Sequence, residues 1–193
     1  MKIGLYFGTF NPIHVGHLII ANHMVEYSDL EEVWMVVTPH NPFKKKKTLL
    51  DNHHRFEMVF RATEPYQHLK PSDIEFKLDQ PNYTVHTLAH ISDSYPQHEF
   101  CLIMGEDNLN GFHKWKNYET ILEHHAIYVY PRISDGKSAT SLINHPRIFK
   151  VDAPIIEISS TLIRKGIRQQ KNVQPLLTAS VWEYIDQMNF YRK

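Results

Sequence analysis

Ile3-Gly4-Leu5-Tyr6-Phe7-Gly8-Thr9-Phe10-Asn11-Pro12-Ile13-His14-Val15-Gly16-His17 decides how this chain is read. Its apolar front, Ile3 to Phe7, suits a short buried strand, and Gly8 to His17 reads as a turn leading into the first turn of a helix. Gly8 can take backbone angles closed to other residues, and Gly16 removes a side chain where something must approach the backbone closely. Pro12 stiffens the turn and cannot continue the strand. His14 and His17 are three apart, so a helix beginning around Ile13 sets both on one face beside its N-terminal amides. That end of a helix attracts anions. Two ring N–H donors, exposed amides and a bare Gly16 make a cradle for a phosphate chain, at the place where a parallel sheet usually binds nucleotides.

Outward from this stretch, short apolar runs alternate with longer helical patterns, which predicts crossover units in a mainly parallel sheet. The expected fold is α/β, Rossmann-like and doubly wound, with helices on both faces of the sheet. Strands are expected at Ile3 to Phe7, Glu32 to Thr38, within Leu69 to Leu78, at Phe100 to Met104, Ala126 to Tyr130 and Ile148 to Val151. Helices are expected over His14 to Tyr27, from an Asp51 cap to Thr63, from a Thr84 cap to Tyr95, over Tyr118 to His124, after a cap at Ser159 or Ser160, and over Thr178 to Tyr191. Gly105 to Trp115 should hold a turn and a short helix. Pro39 to Leu50, with two prolines and four consecutive lysines, reads as a mobile loop, and Pro131 to Pro146 as a second loop.

At 193 residues, without repeats or a linker, the chain suits one domain spanning 1–193. Lysine plus arginine equals aspartate plus glutamate at 21 each, so the formal charge is zero. Such a balance lacks the footprint of a general nucleic-acid binder and favours small-molecule partners in a locally charged pocket. Cys101 is the only cysteine, which excludes an internal disulfide, fits a reducing cytoplasm and reads as a core residue. No apolar run approaches the ~20 residues that span a bilayer, so no membrane association is expected. The pairs His53-His54 and His124-His125 lack partners at metal-ligand spacing, which leaves a histidine-rich metal carrier poorly supported.

Near the far end of the chain, Ile158-Ser159-Ser160-Thr161-Leu162-Ile163-Arg164 offers hydroxyls at a helix start and an arginine one turn further in. Hydroxyls and orphan amides suit phosphate oxygens, and a guanidinium neutralises their charge in a planar fork. Taken alone, it is equally a Ser/Thr capping box with a solvated arginine, just as the two histidines alone could decorate a helix surface.

Together the two segments resemble a known pair. His14 to His17 resembles the H-x-G-H signature of the nucleotidylyltransferase superfamily, and Gly8 to Pro12 the G-T-F-N-P turn of many of its adenylyltransferases. Ile158 to Arg164 resembles the superfamily's I-S-[ST]-T-x-[IL]-R motif. Between them, Asn82 to Leu88 is similar to S-Y-T-x-[DE]-T-L, Gly105 to Leu109 to G-x-D-x-L, and Trp115 with Tyr118 to Leu122 to W-x-x-[YF]-E-x-[IL]-L, as in the bacterial nicotinate-nucleotide adenylyltransferases. The ordered agreement runs along nearly the whole chain. It departs at Asn82, where that family commonly has serine, and at His86, where it commonly has a carboxylate.

The resemblance implies a transferase that joins ATP and nicotinate mononucleotide into nicotinic acid adenine dinucleotide, releasing pyrophosphate. His14 and His17 would donate to the α-phosphate. Arg164 with Ser159, Ser160 and Thr161 would hold the departing phosphates. Gly8, Thr9, Phe10, Gly16, Gly105 and Asp107 would complete the ATP site, Asp107 near the ribose and metal-bound phosphates. Trp115 would stack on the pyridine ring, and backbone amides near Thr84 and at Lys116 would receive its carboxylate. Lys44 and Arg132 are candidates for phosphate contact. Mg²⁺ is expected through the ATP phosphates, without a protein cage. The rival readings are nicotinamide mononucleotide or phosphopantetheine as acceptor, a cytidylyltransferase, or a catalytically silent nucleotide sensor. Oligomeric state is not readable from the residues.

Overall fold

The computed structural model describes residues 1–39, 49–133 and 140–192. Six strands form one sheet: β1 (Lys2–Gly8), β2 (Glu32–Val37), β3 (Leu69–Ser72), β4 (Glu99–Gly105), β5 (Ile127–Tyr130) and β6 (Ile148–Lys150). Their order is β3-β2-β1-β4-β5-β6, and every neighbouring pair is parallel. The helices are α1 (Val15–Glu26), α2 (Asn52–Thr63), α3 (Thr84–Ser94), α4 (Glu106–Asn110), α5 (Tyr118–His124), α6 (Ser160–Arg168) and α7 (Ala179–Gln187). This is the doubly wound Rossmann-like arrangement, all parallel rather than only mainly so.

Central strands covered on both faces must be apolar on both faces, and β1 and β4 are. Alternation sends Tyr6, Met35, Cys101 and Ile103 into a core with residues of α1, α2, α6 and α7. Ile3, Leu5, Leu102 and Met104 enter a second core with residues of α3, α4 and α5. Cys101 is fully buried, as its apolar surroundings in the sequence suggest. The chain builds outward from β1 through β2 to β3, then returns to the other side of β1 to place β4. The crevice beyond the carboxyl ends of β1 and β4 is therefore the switch point where this topology binds ligands.

Several boundaries shift. His14 is the extended N-cap of α1 rather than its first turn, and Tyr83 caps α3, leaving Thr84 as the first helical residue. Asp51, Ser159 and Thr178 do cap their helices, each side chain accepting a backbone N–H from the first turn. The last helix stops at Gln187, because Met188 and Asn189 turn the chain back toward the core. Ser141–Asn144 forms a short 3-10 turn inside a stretch expected to be loop. Lys44 and most of the expected 39–50 loop lie outside the described residues.

One side chain breaks the apolar pattern. Arg55 is fully buried on α2, on the face it shares with Met58, Val59 and Ala62. Its Nε donates to the Leu50 carbonyl at 3.0 Å, its Nη1 to the carbonyls of Thr9 (2.6 Å) and Thr38 (2.8 Å), and its Nη2 to the Pro39 carbonyl (3.1 Å) and Asn52 Oδ1 (2.6 Å). All five N–H donors are used, on neutral acceptors. The guanidinium thereby ties the turn after β1 to the end of β2 and the entry to α2. Burial lowers its pKa to about 10, which still leaves it charged at neutral pH.

Arg55→Lys keeps the charge but supplies only three donors, so at least two buried acceptors lose their partner. The expected loss is about 3 kcal/mol of unfolding free energy. Urea unfolding with an unchanged slope measures it. A variant as stable as the parent would refute the staple.

Candidate active site

The turn after β1 is the centre of the site because distant elements all fasten to it. Arg164 Nη1 on α6 donates to the Asn11 carbonyl at 2.7 Å, across 153 residues of sequence. Ser160 Oγ donates to the Pro12 carbonyl at 2.8 Å. Tyr191 Oη, near the end of the chain, donates to Asn11 Oδ1 at 2.8 Å, and the Leu50 N–H reaches the same oxygen at 3.3 Å. With Arg55 on the Thr9 carbonyl, residues 9 to 12 are held from several directions. The two motifs at opposite ends of the sequence are thus in direct contact. A cavity of about 760 Å³ opens beside them, lined by both.

His14 is 5% exposed and His17 stands at the third residue of α1. Their rings stack with centroids 3.6 Å apart at 22°. The His14 backbone N–H donates to His17 Nδ1 at 3.2 Å, which places the proton of a neutral His17 on Nε2. His14 Nδ1 is buried without a hydrogen bond. Burial first, then the charge of Arg132, lowers the His14 pKa to about 4. His14 is therefore uncharged at neutral pH, and two stacked rings avoid mutual repulsion. Both histidines line the cavity, held in a preset orientation.

Gly8 works through space rather than angle. Its φ is ordinary, and a Cβ there would lie 2.8 Å from the Phe10 ring, whereas Phe10 itself takes the positive φ of 42°. Phe10 is 2% exposed and packs edge-on to Tyr6 and His17. Gly16 lies behind the cavity wall. A Cβ on it would come within 2.7 Å of Ile156 and 3.1 Å of His14 Nδ1, so the close approach is by the protein's own side chains. The hydroxyls of the second motif are likewise committed within the protein. Ser159 caps α6 through the Leu162 N–H at 3.2 Å, Ser160 holds Pro12, and Thr161 Oγ1 accepts from Arg164 Nη2 at 3.2 Å. All three residues line the cavity.

Arg132 lies over the Tyr130 ring at 5.5 Å, and its Nη2 reaches Tyr130 Oη at 3.5 Å. Tyr130 Oη meets Tyr6 Oη at 3.0 Å, and Asp107 Oδ1 lies 3.9 Å from Arg132 Nε. Gly105 permits this cluster, since a Cβ there would collide with Asp107 and the Arg132 stem. Asp107 and Arg132 both border the cavity, while Gly105 supports them from behind. The described residues include no group of three or more His, Cys, Asp or Glu able to hold a metal.

The other end of the cavity is formed by the start of α3 and the residues after α4. Thr84 and Tyr83 line it together with Trp115, and Lys116 Nζ stands 4.4 Å above the Tyr83 ring. Trp115 packs edge-on to Phe112 at 5.2 Å and keeps part of its surface open. His86, where the sequence departs from the family pattern, is exposed on α3 and does not line the cavity. Glu75 does line it, although sequence reasoning does not single it out, nor Arg55, Tyr191 or the Tyr6–Tyr130 pair. For Arg55 a signal exists: an arginine at i with Met58, Val59 and Ala62 at i+3, i+4 and i+7 occupies the buried stripe of an amphipathic helix. His54 and His125 are structural, bonding Tyr184 Oη and the Phe100 carbonyl at 2.9 Å each.

The profile of the family described as cytidylyltransferase-like matches residues 5–166. A relative from Christiangramia forsetii, named "Probable nicotinate-nucleotide adenylyltransferase", is 69% identical over 191 residues, covering 99% of this chain and 98% of its own. Relatives of the same name from Flavobacterium johnsoniae and Bacteroides fragilis are 67% and 42% identical, the first covering 100% of both chains and the second 96% of this chain and 92% of its own. Among solved structures, Plasmodium falciparum nicotinic acid mononucleotide adenylyltransferase complexed with NaAD superposes with a TM-score of 0.81 at 19% identity, covering 98% of this chain and 97% of that one. That likeness concerns the fold, and the relatives' identity concerns descent. The chain belongs to the cytidylyltransferase-like family and, within it, to the nicotinate-nucleotide adenylyltransferases.

Proposed function

We propose that this protein transfers the adenylyl group of ATP to nicotinate mononucleotide, giving nicotinic acid adenine dinucleotide and pyrophosphate. The carrying observation is the joint between the two phosphate motifs, Arg164 on Asn11 and Ser160 on Pro12, beside one cavity that also holds both histidines. The mononucleotide's 5′-phosphate attacks the α-phosphorus of ATP in line and expels pyrophosphate. The attacking oxygen is already anionic near neutral pH, so alignment and charge stabilisation replace a strong base.

In this reading His17 Nε2–H and the neutral ring of His14 donate to the nonbridging oxygens of the α-phosphate. Arg164 uses part of its guanidinium to hold Asn11 and Thr161, and its remaining Nη N–H groups are available to the leaving phosphates. The N-terminus of α6 adds to that end, and Arg132 borders the same cavity. Trp115 gives the pyridine ring a stacking surface, and the first amides of α3 and that of Lys116 take its carboxylate, a helix end that favours an acid over an amide. Mg²⁺ fits as an ion carried by phosphates and water, with Asp107 the one exposed carboxylate bordering the cavity among the described residues. When bound, it offsets phosphate charge.

Pyrophosphate release with ATP and Mg²⁺ is expected with nicotinate mononucleotide, more weakly with nicotinamide mononucleotide, and not with phosphopantetheine. Nucleotide binding without release in any mixture would favour a silent sensor instead. His17→Ala should lower kcat by about 10² to 10³, the cost of one preorganised donor. A folded variant with full turnover would remove His17 from the chemistry. Trp115→Ala should chiefly raise KM for the mononucleotide, by about tenfold, with kcat little changed. An unchanged KM would make Trp115 a packing residue.

A further inference from the structure

Glu75 is a carboxyl group in an unusual place. It lies on the short 3-10 turn Ile74–Lys77 between β3 and α3, is 2% exposed, and forms part of the cavity wall. Its Oε1 accepts from Thr87 Oγ1 at 2.7 Å, and its backbone carbonyl accepts from Asn82 Nδ2 at 2.8 Å. Glu75 Oε2 and Asn82 Oδ1 are both buried without a hydrogen bond. Among the described residues no lysine, arginine or histidine pairs with Glu75. A buried carboxylate with no cation is costly, which favours its protonated form. Burial accordingly raises the Glu75 pKa, with the Thr87 and Thr38 hydroxyls opposing.

The two residues it holds flank the helix start. Asn82 immediately precedes Tyr83 and Thr84, and Thr87 is the fully buried residue one turn into α3. The side chain of Glu75 thus secures the first turn of α3 from one side while its backbone secures the approach from the other. We propose that Glu75 is a specificity-determining positioning residue that fixes the first amides of α3 at the ring end of the cavity, through its side chain on Thr87 and its backbone on Asn82. This rests on the reading that those amides receive the pyridine carboxylate.

The variants Glu75→Gln and Glu75→Ala test it, with steady-state kinetics on nicotinate and nicotinamide mononucleotides and thermal unfolding as a control. Glu75→Gln is expected to stay within about twofold of the parent in every parameter, since the amide is neutral and its oxygen still accepts from Thr87. Glu75→Ala is expected to raise KM for nicotinate mononucleotide by about tenfold and lower the acid-over-amide ratio of kcat/KM, with kcat and the KM for ATP within about twofold. If Glu75→Ala does not fold, Thr87→Val removes the same clamp at equal volume and carries the same expectation. Parental behaviour of Glu75→Ala, equal damage in Glu75→Gln, or a loss spread evenly over kcat and both KM values would each overturn the inference. A parent that turns over neither mononucleotide overturns the underlying reading and this inference with it, so the two failures are told apart before any variant is made.

Discussion

The site depends on satisfying the backbone of residues 9 to 12. A turn that leaves a parallel strand, carries a positive φ at Phe10 and runs through a proline forms no ladder of its own, yet Phe10, Asn11 and Pro12 are buried. Its carbonyls must find donors or forfeit about 1–3 kcal/mol apiece. Those of Thr9, Asn11 and Pro12 find them on Arg55, Arg164 and Ser160, and the Asn11 side chain finds Tyr191 and Leu50. These donors come from α2, from α6, from the loop before α2 and from the end of the chain. The turn is rigid because the rest of the molecule is assembled around it, and a rigid turn is what a phosphate site built from preset dipoles needs.

Charge is distributed with the same economy. The whole chain has no formal net charge, and His14, at the heart of the site, is kept neutral by burial and by Arg132. Within the described cavity, positive character gathers at Arg132, Arg164, Lys114 and Lys116, where an anion can use it. Arg55 adds a buried charge whose every N–H is already spent on backbone or amide oxygens, so it shapes the wall without competing for the ligand. A uniformly basic protein would attract any polyanion, whereas this arrangement is selective by position.

Much of this is legible in the residues because periodicity and caps are local. The six strands and the longer helices lie within a few residues of where the sequence puts them, since β-rich runs, Asp51, Ser159 and Thr178 announce themselves. The candidate site residues that fall among the described ones line one cavity or lie directly behind its wall, whereas His86 of the Asn82 to Leu88 motif does neither. What spacing does not reveal is which hydroxyls and glycines face a ligand. Ser160 and Thr161 spend hydrogen bonds within the protein, Gly16 makes room for Ile156 and His14, and Gly105 makes room for Arg132. The partners that decide most of this, Pro12 for Ser160, Ile156 for Gly16 and Arg132 for Gly105, arrive from across the fold, and the local pattern carries no trace of them. Tyr191 is invisible for the same reason: its partner is 180 residues distant.

The same long-range bonds join folding to function. Arg164 sits on α6, Tyr191 comes after α7, and Arg55 belongs to α2, so the turn reaches its final geometry only when helices from both halves of the sequence have packed on one face of the sheet. The ring end is built separately, by α3, its Glu75 clamp and the segment after α4 on the opposite face. The sheet switch between β1 and β4 is where these two assemblies can meet without crossing the chain, and it sets the phosphate end and the ring end side by side. That separation comes from the strand order, which lets elements packed on opposite faces of the sheet border one cavity.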